Sequence, residues 1–507
     1  MLQSILQHAI QCGIFEKNIS LEPFKDRVGP QCAVATRSVM KTDTAIYMLC
    51  ESGDEPSLII LTQYENILEG FIGESVSEYV RGVTYIALDC ALDHGNAAAL
   101  RRLLPWTAPS VLDTRQSFGF GDRIGSPSPA TPWHIEACTQ YKMAPALAQQ
   151  SVRENHKTGR TFESVLDDAT WSVLAARYCQ PWGADADHLK TLDEIEKAAA
   201  VGYTLFTLDP SEKIDNAADS DDDEALDKKL GALFPKKKGV DEFIARYEGS
   251  GNADARAVVK SGVKYLAAVR HAVKAYNRLA ELRDESGFQF EMSIDETVTP
   301  TTPLDHRIIA TELMLGGVKL FSLAPRFVGR FEKGIDYIGS VDEFRPSLET
   351  HAALARELGD YRLSLHSGSD KFSIYPIFGE VTDGYFHVKT AGTSFLEAAK
   401  VVAEVDIDFF REILALAIDT FEENAASYDI SGDVSRVPDP AGLSSGGAVE
   451  LITSDSDVRQ TLHIAFGVIL KTMGPKMRSV LSQNSETYRN NIVTHLGRHI
   501  ALLTGRA

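Results

Sequence analysis

Histidines, carboxylates and ammonium groups stand at one recurring kind of position in this 507-residue chain, the polar end of a short apolar segment. Strand side chains alternate between two faces, so residue parity tells which of them share a face. In YRLSLHSGSDK, Leu363 and Leu365 take one face and Ser364 and His366 the other; in YFHVKTAGTS, Phe386 and Val388 oppose His387 and Lys389. In FQFEMSIDET, the apolar Phe290, Met292 and Ile294 leave Glu291, Ser293 and Asp295 on the polar face, with Glu296 at the rim. Thr207 and Asp209 make a similar pair. Two imidazoles and a carboxylate from different strands suit a divalent ion such as Zn²⁺, Mn²⁺, Co²⁺ or Ni²⁺. The candidate ligands are therefore His366, His387 and Asp295 or Glu296. Taken singly, each histidine reads as a hydrogen-bonded core residue, and only their comparable placement favours a metal. No CxxC spacing adds to it.

The basic side chains near these ends are Arg123, Lys190, Arg326, Arg330, Lys371 and Lys389, a local positive field in a chain of net charge −20. Arginine grips a carboxylate through two parallel hydrogen bonds, and the hydroxyls and amides of SGSD, beginning at Ser367, suit sugar oxygens. GADADHLK brings Asp185, Asp187 and His188 to another polar end, readable as a strand end or as an Asp-rich helix start. GFGDRIGSPSPATP matches neither a Walker loop nor a GxGxxG turn between strand and helix, so no nucleotide cofactor is expected. SGGA at residues 445–448 reads as a loop, and no GxSxG elbow or Cys–His–Asn pattern points to a hydrolase.

The elements that must carry these groups follow a repeated order. Eight short segments end in polar clusters: SFGFGDR, APALAQQS, the stretch ending in GADADHLK, YTLFTLDPS, FQFEMSIDET, VKLFSLAPR, YRLSLHSGSDK and YFHVKTAGTS. Helix-like runs such as FESVLDDATWSVLAARY and FRPSLETHAALAREL lie between them. Strand then helix, repeated in this way, predicts a (β/α)8 TIM-like barrel of α/β class with its chemistry at the C-terminal strand ends. We place an N-terminal α/β unit at 1–112, the barrel at 113–400 with an insertion at about 212–285 between strands 4 and 5, and C-terminal helices at 401–507. The acidic run and lysine cluster of KIDNAADSDDDEALDKKLGALFPKKKG read as a solvated insert. The C-terminal helices read as a packing cap.

Composition narrows the classes. At 44% apolar and 24% charged, the chain is globular in type. No apolar stretch approaches the roughly 20 residues that span a bilayer, so no membrane partner is expected. The negative charge, without a basic stripe to offset it, disfavours nucleic acid. Cysteines confined to the early part of the chain, with no secretory leader before them, fit a reduced, cytoplasmic setting. A homo-oligomer is compatible with all of this.

The longest of these segments, GFGDR, LAQQSVREN with TGRTFESVLDDATW, GADADHLK, FTLDPS, SIDETVTPTTPLDH, SLAPRFVGRFEKGIDYIG, LSLHSGSDKFSIYP and HVKTAGTS, resemble the tagaturonate epimerase family. The resemblance covers most of the region from Ser117 to Ser394. It implies a divalent metal, a small sugar or sugar-acid substrate, and interconversion of D-tagaturonate and D-fructuronate. Those ketouronates differ at a hydroxyl-bearing carbon β to the ketone, whose C–H is too weakly acidic for direct removal. A retro-aldol and aldol sequence avoids that difficulty. On this reading Asp122, Asp185 and Asp209 are acid/base candidates, and Arg123, Arg326, Ser367, Lys371 and Lys389 hold the substrate. A metal-dependent aldolase or ketose–aldose isomerase would use much the same groups, and a non-catalytic sugar-acid binder is the further alternative. The insertion after Ser211 and the SPSP segment after Gly125 are where the sequence departs from the family pattern.

Overall fold

The computed structural model describes residues 1–32, 38–50, 56–426 and 428–506. Its first part is an antiparallel five-stranded sheet of β1 (Met40–Lys41), β2 (Ala45–Cys50), β3 (Ser57–Thr62), β4 (Gly73–Val80) and β5 (Val83–Ala91), in the order β1-β2-β3-β5-β4. The runs AIYMLC and SLIILT are apolar on both faces because both faces are covered. Ile46, Met48, Ile59 and Leu61 pack on Ile5, Leu6, Ala9 and Phe24. Tyr47, Leu49, Leu58 and Ile60 pack on the helix His94–Leu103 and on Trp171 and Leu174 of the following unit.

A nine-stranded parallel sheet forms the rest of the α/β body. Its strands are β6 (Gln116–Gly121), β7 (Ala144–Ala146), β8 (Gln150–Ser151), β9 (Asp185–Leu189), β10 (Leu205–Leu208), β11 (Gln289–Ile294), β12 (Ser322–Pro325), β13 (Arg362–Leu365) and β14 (Phe386–Ala391). The order is β7-β6-β14-β13-β12-β11-β10-β9-β8. The segment APALAQQS thus becomes two strands at opposite ends of this order. Between them the backbone alternates partners, Leu147 N donating to Gly183 O at 2.9 Å and Gln149 N to Phe120 O at 3.2 Å. GADADHLK is strand, so the helix-start reading of it falls. Four helices between the strands open on a capping box, at Ser151, Thr161, Thr191 and Thr302, which fixes where each helix begins.

Residues 212–285 contain helices of their own. Asp223–Leu233 and Lys237–Tyr247 close a small core around Leu226, Leu230, Phe243 and Val258, while Asp222, Asp223, Glu224 and Lys236–Lys238 stay exposed. The 28-residue helix Ala255–Leu282 then buries Tyr265, Ala268, Val269, Ala272, Tyr276 and Leu279, a helical stripe, against the large sheet. SGGA is not a loop. Ser444 caps the helix Ser445–Ser454 by accepting from Gly447 N at 3.2 Å. The C-terminal helices also do more than pack: Arg459, Gln460, His463 and His499 are buried polar groups that reach the strand-end loops. Among the described residues no helix is long and apolar enough to cross a membrane.

Candidate active site

Lys389 of β14 is the centre of the polar strand ends. Parallel pairing sets His387 beside Ser364 of β13 and Lys389 beside Gly119 of β6, so both side chains point to the same interior. The Lys389 ammonium lies 2.7 Å from Asp185, 2.8 Å from Asp187 and 2.9 Å from Glu291, and also contacts the Thr207 hydroxyl. Burial alone would lower its pKa; the three carboxylates overcome that and hold it well above the usual range. Asp185 is raised to about 6, chiefly by burial, with Lys389 opposing.

Glu291 extends this network to His366, accepting from Nε2 at 2.6 Å. The other ring nitrogen, Nδ1, is 3.2 Å from Asp295 Oδ1, and Ser293 donates to the same carboxylate. On the far side, His188 Nδ1 lies 2.9 Å from Asp187 Oδ1 as an ion-pair contact, and the rings of His188 and His366 stand 5.1 Å apart. One ligating atom each from His188, Asp295 and His366 lies within 4.8 Å of the others. Each imidazole thus has one nitrogen against a carboxylate, His188 at Asp187 and His366 at Glu291, an arrangement that orients metal-binding histidines.

Parity alone does not bring His188 here. Strand alternation puts it on the face opposite Asp185 and Asp187. The β9–β10 register shifts between the Phe206 and Leu208 pairs, and His188 takes a left-handed φ of 54°, so the bulge re-aims its ring inward.

The predicted residues distribute unevenly around this centre. His366 and Asp295 join the group. His387 lies deeper, with Nδ1 2.8 Å from the Ser117 hydroxyl and Nε2 4.0 Å from Asp185, and burial pushes its pKa down to about 3. Glu296 is two-fifths exposed and 3.9 Å from Arg153. Asp122 accepts from Ile124 N, Gly125 N, Thr131 N and the Thr131 hydroxyl, which fixes the loop after β6. Asp209 accepts from Ser211 N at 2.9 Å and lies 3.6 Å from Lys190. Arg123 is buried, ion-paired with Glu154 and stacked 3.8 Å over the Phe466 ring. Arg326 donates to Thr297 O, holding the loop after β11. Lys371 gives its protons to three carbonyls, Ile335 O at 2.5 Å, Glu332 O at 2.8 Å and Ser369 O at 2.9 Å. Ser367 follows His366 with φ 47° and is half-buried. Sequence reasoning missed the roles of His188, Asp187 and Glu291, and overlooked Lys333 and Arg153; a doubled polar pair in one strand, DH, was the available signal for the bulge.

The model of the tagaturonate epimerase family matches residues 35–503. A tagaturonate/fructuronate epimerase of Thermotoga maritima is 39% identical over 493 residues, which cover 96% of this chain and all of that protein. Crystal structures of the fructuronate-tagaturonate epimerase UxaE from Cohnella laeviribosi superpose at TM-scores of 0.85 for a glycerol complex and 0.84 for the native form. Their identities are 32% and 33%, over 95% and 94% of this chain and 98% of theirs. A family match over nearly the whole chain, with a relative 39% identical along its full length, places the chain in the tagaturonate epimerase family.

Proposed function

We propose that this protein interconverts D-tagaturonate and D-fructuronate, on a sheet that closes as a (β/α)8 barrel, with a divalent cation held by His188, Asp295 and His366. The observation that carries the metal assignment is the paired tethering of His188 by Asp187 and of His366 by Glu291, with Asp295 between them. Two nitrogens and one carboxylate oxygen fit Zn²⁺, Mn²⁺, Co²⁺ or Ni²⁺. Barrel closure is favoured by β7 and β8, which share one segment yet flank β6 and β9. The substrate and reaction rest on the Thermotoga maritima and Cohnella laeviribosi relatives. The five described cysteines that are free, Cys12, Cys50, Cys90, Cys138 and Cys179, favour a reducing, cytoplasmic setting.

When bound, the cation would act as a Lewis acid on the ketone. The chain's own groups move the proton and hold the pieces. In the retro-aldol route a base removes the β-hydroxyl proton, the adjacent C–C bond breaks to an aldehyde and an enediolate, the aldehyde turns, and the bond re-forms. Asp185 and Asp187, bridged by Lys389, are our assignment for that proton, because the pair couples a buried carboxylate raised to about 6 with a second carboxylate on the same ammonium. Asp122 and Asp209 spend their oxygens on backbone amides and are assigned to loop positioning. NMR analysis of metal-loaded protein incubated with tagaturonate tests the whole reading. Fructuronate is the expected product; aldehyde fragments in solution, an aldose, or unchanged tagaturonate would each overturn it.

A further inference from the structure

The basic residues expected to grip the substrate carboxylate are already engaged: Arg123 with Glu154, Lys371 with three carbonyls, Lys389 with three carboxylates. One lysine at the strand ends differs. The loop at 330–336 is pinned from several directions. Lys371 holds Glu332 O and Ile335 O, Arg459 Nε donates to Gly334 O at 2.6 Å, and Gln460 Nε2 donates to Lys333 O at 3.3 Å. The buried Glu332 carboxylate takes Ser431 N and its hydroxyl at 2.7 Å each, Gln460 Nε2 at 2.9 Å and Arg330 at 2.6 Å. In the middle of this mount stands Lys333, whose ammonium has no carboxylate within ion-pair distance among the described residues. Burial lowers its pKa, and of the charges that act on it Glu154 and Asp187 raise it while Arg153 and Arg123 lower it further. Arg153 itself stacks 4.9 Å over Tyr428.

We infer that Lys333, with Arg153 beside it, forms the subsite for the substrate's carboxylate, and that Lys371, Arg459 and Glu332 serve to position it. An anchored loop that presents one desolvated ammonium without an anion supplies the charge-assisted contact a sugar acid needs. The inference rests on the proposed reaction and adds a ground for selectivity: a ketouronate completes the site, whereas an uncharged ketohexose leaves the ammonium unpaired.

Kinetics of Lys333→Gln and Lys333→Arg on tagaturonate and on tagatose test it. Lys333→Gln should raise KM for tagaturonate about 10–100-fold, the loss of one charged hydrogen bond, with kcat within about twofold. Tagatose turnover, where measurable, should not fall, and Lys333→Arg should restore most of the KM. Equal losses on both substrates, a fall in kcat at constant KM, or no change would overturn the subsite. Wild-type protein that leaves tagaturonate unchanged would instead overturn the reaction on which it rests.

Discussion

Two groups of one aspartate and two histidines lie near the strand ends, and their chemistry differs. In the first, His188 Nδ1 lies against Asp187, and His366 meets Glu291 through Nε2 and Asp295 through Nδ1. In the second, Asp370, His495 and His499 are equally close together. There His499 donates from Nδ1 to His495 O at 2.8 Å and accepts at Nε2 from Asp370 N at 2.9 Å, so both nitrogens are committed to backbone. Asp370 is paired with Arg459 at 3.0 Å, and His495 spans Asp370 and Glu397 at 2.6 and 3.3 Å. Composition and proximity are therefore insufficient to identify a metal site; the second nitrogen of each ring decides. In the first group no ring nitrogen is bonded to backbone among the described residues, whereas the second ties the helix Ser485–Thr504 to the loop after β13.

The largest effects should separate the groups outright. His366→Ala should remove the bound divalent ion and lower epimerisation at least about 10³-fold while leaving thermal stability nearly unchanged, measured by elemental analysis, turnover and calorimetry. Asp370→Asn should do the converse. It leaves Arg459 and His495 without their anion, and should cost about 3–5 kcal/mol of stability with metal content retained. Glu291→Gln weakens the tether on His366 and should reduce metal affinity about 10–100-fold, read by competition with a chelator.

The smallest effect is a pH slope. Burial first, then the His495 charge, keeps folded His499 neutral down to about 3, whereas an unfolded imidazole takes its proton near 6.5. The unfolded chain binds more protons between those values, so the contribution present above pH 6.5 is lost as pH falls, by about 2 kcal/mol at pH 5. His495, raised by Glu397 and Asp370 against burial, contributes with the opposite sign and partly offsets it. His499→Gln should flatten the acid side of a denaturation series; an unchanged slope would show that His499 titrates as in water.

Much of the site was legible where strands are regular. His366, Lys389, Glu291, Asp295 and Thr207 face one interior as alternation predicts, because pleat alone sets their direction. His188 was not, since a bulge overrides alternation and is written in backbone dihedrals. His387 obeys parity yet stands lower in the interior, beside Ser117 and 4.0 Å from Asp185, because parity fixes the face and leaves the depth open. The loop around Lys333 was illegible because its anchors, Ser431, Arg459 and Gln460, come from the C-terminal part of the chain, about a hundred residues or more away along the sequence. The segment APALAQQS read as one strand and forms two, a split decided by partners on either side.

Measuring bound metal and tagaturonate turnover in His188→Ala beside His387→Ala tests the central assignment most directly. The account predicts that His188→Ala loses both the ion and activity, while His387→Ala keeps the ion bound. A His188→Ala protein that retains stoichiometric metal, with the ion lost in His387→Ala, would contradict it.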